Sequence, residues 1–393
     1  MNNRQLISPS FWNALLRFSL AVGFLGLGIA PTIARDPEGN MPSSGAVYTA
    51  TNSSGGNKVL AYKRVSNGNL QFIRSFATGG SGNDAALGNQ GGIAISRNGQ
   101  WLLVVNPGSN DFSAFRVAPN GGLTLTDTEP SNGLLPISIT ISGNVVYVVN
   151  FGDSAGDTGN IAGFTIDFNS GELTPILGSI RSLSGMTDPQ PAQIQFNRGG
   201  TALVVTEKAT NFIDTYMVGA DGVASAPLSN LSHGVTPFGF SFSHNGYLIV
   251  SEAFAGLPDI SAVSSYSVNA QGELNVITPS APTNETAACW IVVTDDGNFT
   301  YTTNTGSGTI SGYRINRATG ELQLLDPDGI TATTGVDSGP TDEALSQGSK
   351  YLYVLNSLSH EIIGFSVDED DGSLEQIELV GGLPDFAFGL IAR

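Results

Sequence analysis

Short runs in which apolar and polar residues alternate recur along the chain from residue 45 to the C-terminus. Seven of these runs contain an aromatic residue in a matching position, and successive aromatics lie 47 to 53 residues apart: Tyr62, Phe115, Phe164, Tyr216, Tyr266, Tyr313 and Phe365. Alternation with a period of two is typical of strands that bury one face. Beyond the N-terminal segment, no stretch shows the period of about 3.6 residues that marks an amphipathic helix. The pattern predicts seven copies of one all-β unit.

Each unit is predicted to contain four short strands. An apolar residue follows each aromatic 7 to 9 residues later, beyond a turn with glycine at or near its tip: Leu70, Leu123, Leu173, Val223, Leu274, Leu322 and Leu374. Glycine supplies the positive φ that a hairpin tip requires. A second hairpin lies upstream of the aromatic, as in residues 93–106, 194–207 and 291–304. Four-stranded units repeated about every 40–50 residues are typical of a β-propeller.

The two ends of this region are complementary half-units. Residues 45–52 match the second strand of a unit with no first strand before it, and residues 384–391 match a first strand with nothing after it. Pairing the two would cover sheet edges that are otherwise open. We therefore predict one seven-bladed β-propeller over residues 45–393, whose last blade is closed by the C-terminal strand pairing with the N-terminal strands. An open array or two sandwiches would leave both half-units unexplained.

The N-terminus has the pattern of a targeting segment. Residues 1–34 contain two arginines and no acidic residue, with an apolar run at 18–30 and small residues before a cut after Ala34. The run is shorter than the ~20 residues that cross a bilayer. We predict a cleaved signal peptide, a linker at 35–44, a secreted or periplasmic protein and no later membrane span. The alternative is an uncleaved anchor.

Composition excludes some classes of partner. The chain has 34 acidic against 16 basic residues and a net charge of −18, so it lacks the clustered cations that bind nucleic acid or anionic membranes. Its single cysteine, Cys289, rules out an internal disulfide and precedes an apolar run, which predicts a buried structural thiol. The partner is expected to be a small-molecule substrate or an extracellular ligand. Nothing in the sequence indicates an oligomeric state.

Candidate site residues lie where the predicted second strands end. In a propeller, the loops that follow the second strands share one mouth of the ring with the loops that lead into the first strands. The second strands end in amides and carboxylates: Asn52, Asn106, Asn150, Glu207, Glu252, Asn304 and Asn356. Asparagine commonly caps loops through local hydrogen bonds, whereas glutamate does not. Glu207 and Glu252 are therefore the stronger functional candidates.

We predict Glu207 as the catalytic residue. The predicted substrate-binding residues are Asn106, Asn150, Lys208, Glu252, Asn304, Asn356, Gln193 and Arg181. The sequence contains neither a Gly-x-Ser-x-Gly elbow nor Cys/His metal spacing, so no metal ligands are assigned. The acidic turn at 368–372 is similar to a calcium loop, but Gly372 occupies the place of the third oxygen ligand, which favours a hairpin tip. No cofactor is expected to be required, and calcium is the cation left open.

Several segments resemble one known family. Residues 236–240 (TPFGF), 249–253 (IVSEA), 289–290 (CW) and 301–313 (YTTNTGSGTISGY) resemble secreted bacterial members of the lactonase-type seven-bladed propellers. That family includes 6-phosphogluconolactonase and the fungal carboxymuconate lactonising enzyme. Residues 353–356 (YVLN) also resemble the shorter propeller repeats of surface proteins. The likeness covers the whole predicted propeller, and 236–313 is its most specific part.

The resemblance implies a site with His and Arg beside the first-strand prolines and a Glu at the end of a second strand. Glu207 matches that glutamate. The residues after the prolines are instead Ile137, Ala192, Phe238, Thr341 and Asp385. Arg181 and Lys208 are the cations placed near the mouth, so the resemblance supports the fold more strongly than a phosphorylated substrate.

Three functions remain open at this point. The first is a lactone hydrolase or lactonising cycloisomerase, with Glu207 as general base toward a water or an acidic C–H. The second is a metal-assisted hydrolase in which Glu and Asn oxygens hold a hard cation such as calcium. The third is a non-catalytic propeller that binds a glycan, a peptide or an envelope component.

Overall fold

A computed structural model describes residues 45–153 and 158–393. The predicted signal peptide and linker lie outside the described residues. The described chain forms seven antiparallel sheets whose strands are ordered from an inner strand to an outer one. The inner strands of adjacent sheets contact one another around a closed ring. The predicted seven-bladed propeller is thereby confirmed.

Every blade runs from an inner strand beside the channel to an outer strand at the rim, and the strands follow in that order. Blade 1 contains Ile93–Ile95, Trp101–Asn106, Asp111–Val117 and Leu123–Pro130; blade 2 contains Pro136–Ser142, Val145–Asn150, Asn160–Ile166, Leu173–Pro175 and Arg181–Ser182. Blade 3 contains Pro191–Phe196, Ala202–Glu207, Phe212–Met217 and Leu228–Leu231; blade 4 contains Pro237–Phe242, Leu248–Glu252, Ala262–Val268 and Leu274–Pro282. Blade 5 contains Ala288–Val293, Phe299–Asn304, Thr309–Ile315, Leu322–Leu324 and Ala332–Thr333; blade 6 contains Pro340–Leu345, Tyr351–Asn356, Glu361–Val367 and Leu374–Gly381. Blade 7 contains Phe388–Ala392, Ala46–Ala50, Lys58–Arg64 and Leu70–Ala77.

Helical structure is confined to one short segment of the described chain. A 3-10 turn at Phe254–Gly256 follows the second strand of blade 4. None of the helices among residues 45–153 and 158–393 has the length and apolar character to span a bilayer.

The repeated aromatics form part of the core. All seven lie on third strands and are buried. Six of the seven apolar residues that follow them begin an outer strand. Val223 is the exception, because residues 218–227 form a longer turn and the outer strand of blade 3 begins only at Leu228.

The two half-units pair as predicted. The C-terminal inner strand of blade 7 is antiparallel to Ala46–Ala50, with Val47 opposite Ala392 and Thr49 opposite Leu390. The Thr49 hydroxyl also donates to the Phe388 carbonyl at 3.2 Å. These bonds join residues more than 330 positions apart, so the ring closes only when the whole chain has folded.

Candidate functional site

Seven inner strands begin, and seven second strands end, on one side of the ring, which we call the front face. Proline is the first residue of four inner strands: Pro136, Pro191, Pro237 and Pro340. In each of these four strands the pairing register shifts just after the proline, which is a β-bulge. Bulges re-aim side chains and are common beside functional sites.

A long loop crosses the central channel at this face. Residues 78–92, which we call the crossing loop, join blade 7 to blade 1. The Gln90 side chain donates to the Ile291 carbonyl at 2.8 Å and accepts from the Ile291 N–H at 3.1 Å. The Gln90 N–H donates to the Ala192 carbonyl at 3.0 Å. A single residue of the loop thus joins the inner strands of blades 3 and 5.

The neighbouring residue extends the same network. The Asn89 side chain donates to the Ile137 carbonyl of blade 2. The backbone carbonyl of Asn89 accepts from the Trp290 indole of blade 5 at 2.7 Å. In blade 4 the loop passes over Gly239, where a Cβ atom would lie 2.0 Å from the Gln90 amide oxygen. A Cβ atom there would also lie 2.7 Å from the Cys289 carbonyl, so glycine lets the loop pass close to blade 4 without displacing Gln90.

Lys208 reaches the crossing loop from the end of the second strand of blade 3. Its ammonium donates to the Gly88 carbonyl and lies 5.0 Å from the centre of the Phe238 ring and 6.0 Å from that of Phe151. Only 7% of the residue is exposed. Burial lowers the pKa of the Lys208 amine to about 8, and nearby Cys289 and Asp188 act in the opposite direction. The result is a buried cation that can lose its proton at mildly alkaline pH.

Aromatic rings line this part of the mouth. Phe238 lies in the bulge that follows Pro237, and its ring is 4.8 Å from that of Trp290. Cys289 is completely buried, and burial raises the pKa of its thiol to about 12, in agreement with the predicted structural thiol. The walls around Lys208 are thus largely apolar, so any polar contact made there by a ligand is strengthened.

Glu207 is next to Lys208 in sequence but faces the interior of the blade. Its carboxylate accepts hydrogen bonds from the Ser184 N–H at 2.8 Å, from the Ser184 hydroxyl at 2.7 Å and from the Thr210 hydroxyl. The residue is fully buried. Burial and the adjacent charge of Glu207 raise the pKa of Asp214, on the third strand, to about 8. A substrate or water reaches Glu207 only if the Ser184 segment moves, and its catalytic role stays a prediction.

The other predicted carboxylate is bound in a comparable way. Glu252 is fully buried and accepts from the Gly234 N–H at 2.8 Å, from the Ser264 hydroxyl at 2.5 Å and from the Ser280 hydroxyl at 2.6 Å. These donors come from the loop into blade 4, from its third strand and from its outer strand. Glu252 therefore joins three layers of the blade.

The predicted substrate-binding amides donate hydrogen bonds within their own blades. All four are fully buried: Asn106, Asn150, Asn304 and Asn356. Asn106, for example, donates to the Ser113 hydroxyl at 2.8 Å, and Asn304 donates to the Ser311 hydroxyl at the same distance. This geometry supports the alternative that these amides cap loops and tie second strands to third strands.

Gln193 and Arg181 are separated by the structure. Gln193 exchanges two hydrogen bonds with the Phe240 backbone, at 3.0 and 2.7 Å, and so fastens blade 3 to blade 4. Arg181 lies in the outermost strand of blade 2 and donates to the Gly178 and Ile180 carbonyls. Two of the residues predicted at the mouth bond to the crossing loop: Lys208, through the Gly88 carbonyl, and Asn52, whose side chain donates to Asn83 at 2.9 Å and to the Ala85 carbonyl at 2.6 Å.

The described residues include no cluster of three or more His, Cys, Asp and Glu side chains arranged to hold a metal ion. At the acidic turn, the Gly372 N–H donates to the Asp368 carbonyl at 3.0 Å, which closes a hairpin tip.

Comparison with known proteins places the chain in a family. It matches the model of the lactonase seven-bladed β-propeller family over residues 41–187 and 260–380, which is more than half of its length. The protein belongs to this lactonase family. No curated protein sequence matches the chain.

Solved structures similar to this lactonase-family protein share its architecture. A provisionally named 6-phosphogluconolactonase from Bacteroides fragilis is 18% identical, with 91% of this chain and 100% of that chain covered and a TM-score of 0.64. The periplasmic gluconolactonase of Pseudomonas aeruginosa is 17% identical, with 88% and 99% covered and a TM-score of 0.69. At these identities the likeness shows the fold alone.

Sequence reasoning missed the crossing loop and the aromatic surroundings of Lys208. The available signal was the length of the connection, because compact domains seldom contain structureless loops longer than about 12–15 residues unless the loop is functional. The sequence does mark the position after Pro237, but the contact between Phe238 and Lys208 depends on how blades 3 and 4 pack against each other.

Proposed function

We propose that this lactonase-family propeller hydrolyses a lactone at the mouth of its front face, with Lys208 as the residue that contacts the substrate. The Lys208 ammonium group supports this role because it lies between the Gly88 carbonyl and the rings of Phe238 and Phe151, beside the channel. In the described residues no carboxylate lies within ion-pair distance of this ammonium. Its remaining N–H donors are therefore not occupied by an ion pair.

The chemistry of lactone opening suits such a group. When water adds to the lactone carbonyl, negative charge develops on the carbonyl oxygen, and a donor in an apolar, preorganised site stabilises it. With a pKa of about 8, the Lys208 amine is mostly protonated at neutral pH. The proposed role needs the protonated form, so activity should decline as pH rises through about 8.

Asp188 is the proposed general base. It is exposed in the loop that leads into blade 3, and its charge acts on the Lys208 amine. The Gln190 side chain donates to Asp188 Oδ2 at 3.0 Å, and the Asp188 backbone has a positive φ of 50°. A carboxylate in this position can accept a proton from water as the water attacks. Glu207 remains the alternative base if the Ser184 segment opens.

The surroundings support an uncharged lactone as substrate. Phosphate groups are usually bound by forked or multiple cationic contacts. In this propeller Arg181 lies on the rim of blade 2, and Lys208 is one buried amine among aromatic rings.

Turnover measurements test the proposal. We would assay glucono-δ-lactone, its 6-phosphate and an aliphatic γ-lactone, each with and without chelator. Lys208→Met should lower the rate about 100- to 1000-fold, and Asp188→Asn about 100-fold or more. Lys350→Met is the control, because Lys350 also lies over an aromatic ring, at 5.6 Å, but is exposed. Full lactonase activity of the Lys208→Met variant would refute the assignment of Lys208 to the site. If Asp188→Asn kept full activity and Glu207→Gln lost it, Glu207 would be the general base.

Binding without catalysis is the second candidate, and one observation favours it. Large apolar side chains are exposed on the loops of the front face: Leu134, Met186, Val235, Val336, Leu358 and Phe386. Exposed apolar groups that cluster on one face are typical of interaction sites. A peptide or an envelope component would then occupy the mouth, and no lactone of the panel would be turned over.

We also propose that the protein is exported. The basic, apolar and small residues of 1–34 support this, as they form a signal-peptide pattern. Sequencing the N-terminus of the exported protein should find Arg35 at or near the first position. An intact N-terminus in a membrane fraction would instead indicate an anchor.

A further inference from the structure

Three reactive side chains meet near the edge of blade 4. His233 lies in the loop that leads into the blade, Glu252 ends its second strand, and Ser280 lies near the end of its outer strand. The Ser280 hydroxyl donates to Glu252 Oε2 at 2.6 Å, and its oxygen lies 3.0 Å from His233 Nδ1. One hydroxyl proton is therefore within reach of two bases.

Burial separates the roles of these three groups. Glu252 is fully buried, Ser280 is partly exposed and His233 is exposed. A reagent from solvent can thus approach the Ser280 oxygen while the carboxylate stays behind it. An activated serine needs this arrangement, in which the base is held in place and the nucleophile is accessible.

The backbone at Ser280 is strained. Its φ is +35°, a conformation that residues other than glycine rarely adopt. The strain arises in a bulge of the outer strand, where the register with the third strand shifts between Val263 and Ser265. Such outliers cluster at functional sites, because the surrounding structure must hold them in place.

A second serine provides an internal comparison. Ser264 also donates to Glu252, at 2.5 Å from Oε1, but it is fully buried, and none of the described imidazoles bonds to it. Ser264 thus bonds one carboxylate oxygen without backbone strain or a histidine contact, whereas Ser280 bonds the other oxygen with both. Ser280 has features that this structural role leaves unexplained.

We propose that Ser280 is the nucleophile of a second, acyl-transfer site in blade 4, distinct from the site proposed at Lys208. Its oxygen forms a bond to the carbonyl carbon of a small ester, Glu252 takes the hydroxyl proton, and the bond to the alcohol breaks as that oxygen receives the proton. Water then cleaves the acyl-serine, which releases the acid and restores the serine. His233 hydrogen-bonds to the same oxygen and positions it.

The expected substrates are small activated esters with an apolar acyl group. Leu231 and Val235 flank His233 in sequence and expose apolar side chains. Among the described residues, neither Glu252 nor Ser280 bonds to a lysine or arginine side chain. An uncharged acyl group therefore fits this site better than an acidic one.

Labelling with an alkyl fluorophosphonate tests the assignment on the full mature chain. The serine oxygen forms a bond to phosphorus, fluoride leaves and the proton passes to Glu252. Peptide mass spectrometry should locate the label on Ser280. Ser359 is the matched control, since it is exposed and donates to the Glu361 carboxylate at 2.8 Å without backbone strain. Ser280 should react roughly 100-fold faster than Ser359.

Variants separate activation from structure. Ser280→Ala should remove the label and the hydrolysis of p-nitrophenyl acetate, and Ser359→Ala should keep both. Glu252→Gln should lower the labelling rate roughly 100-fold. Should that variant unfold, His233→Gln serves instead, because His233 is exposed, and it should slow labelling by a smaller factor.

Equal labelling of Ser280 and Ser359, or unchanged labelling in both the Glu252→Gln and His233→Gln variants, would overturn the proposal. Lys208→Met should label at Ser280 as fast as the unmodified chain. Failure of the lactonase proposal and failure of this one are therefore distinguishable.

Discussion

The Lys208→Met variant removes a charge that destabilises the fold. In the unfolded chain the amine has its ordinary pKa of 10.5, whereas in the folded protein burial lowers it to about 8. At about 1.4 kcal/mol for each tenfold change in proton affinity, holding the charged amine costs the folded state about 3 kcal/mol. This cost is fully present below pH 8, declines between pH 8 and 10.5, and is absent above.

Methionine has a similar unbranched shape and no charge. The variant loses the hydrogen bond from the charged amine to the Gly88 carbonyl, which is worth about 1.5 kcal/mol. The net gain in the free energy of unfolding at pH 7 should therefore be about 2 kcal/mol. With an unfolding entropy of about 2.1 cal/mol/K per residue over roughly 350 residues, this corresponds to a rise in Tm of about 3 °C.

Thermal melts at pH 7, 9 and 10.5 check the prediction. The gain in Tm should be largest at pH 7 and should shrink as the pH rises. The Lys350→Met variant should melt within about 1 °C of the unmodified protein at each pH, because surface substitutions usually change stability by less than ~0.5 kcal/mol.

A Lys208→Met variant that melts at or below the temperature of the unmodified protein at pH 7 would refute the reasoning. A gain that is the same at pH 7 and pH 10.5 would also refute it, since the effect would then not come from the charge. Together with the expected loss of lactonase activity, a confirmed gain would mark Lys208 as a residue retained for function at the expense of stability.

Three further perturbations address other parts of the ring. Because burial raises the pKa of the Asp214 carboxyl to about 8, the unmodified protein should lose stability as pH rises from about 4 to 8. The Asp214→Asn variant should flatten this part of the plot of Tm against pH. If the variant and the unmodified protein gave parallel plots, Asp214 would not be the cause of the loss. The Gln90→Ala variant lacks the side chain that bonds both the Ile291 N–H and the Ile291 carbonyl, so its free energy of unfolding should fall by about 2 kcal/mol. An unchanged midpoint of denaturant unfolding would show that these bonds do not stabilise the ring. Deleting residues 383–393 removes the inner strand of blade 7, and the truncated protein should aggregate or melt far lower; a melt like that of the full chain would show that this strand does not close the ring.

The repeat architecture could be predicted because its signals are local. An aromatic such as Phe115 or Tyr313, the alternation around it and the glycine turn that follows are all determined within about ten residues. Seven repetitions and two complementary ends then define a closed ring without knowledge of any long-range contact. Val223 shows the limit, since the same signal precedes a longer turn in place of a strand.

The candidate site could be predicted only in part. Its position on the front face follows from the order of the strands, and Lys208 is among the residues that the sequence predicts. The orientation of Glu207 was not predictable, because it depends on Ser184 in the preceding loop and on Asp214 in the next strand. A residue at a strand end can face the channel or the blade, and its neighbours in space decide which.

The fold class, the number of blades and the closing pair of strands can be read from local patterns, because strand alternation and turn chemistry act over short distances. Which polar groups are buried, satisfied or accessible depends instead on tertiary contacts. Lys208 and Gly88 meet across 120 positions, and Gln90 and Ile291 across 201. Burial and electrostatics are set by such distant contacts, so the chemistry of this propeller emerges only once the ring is closed.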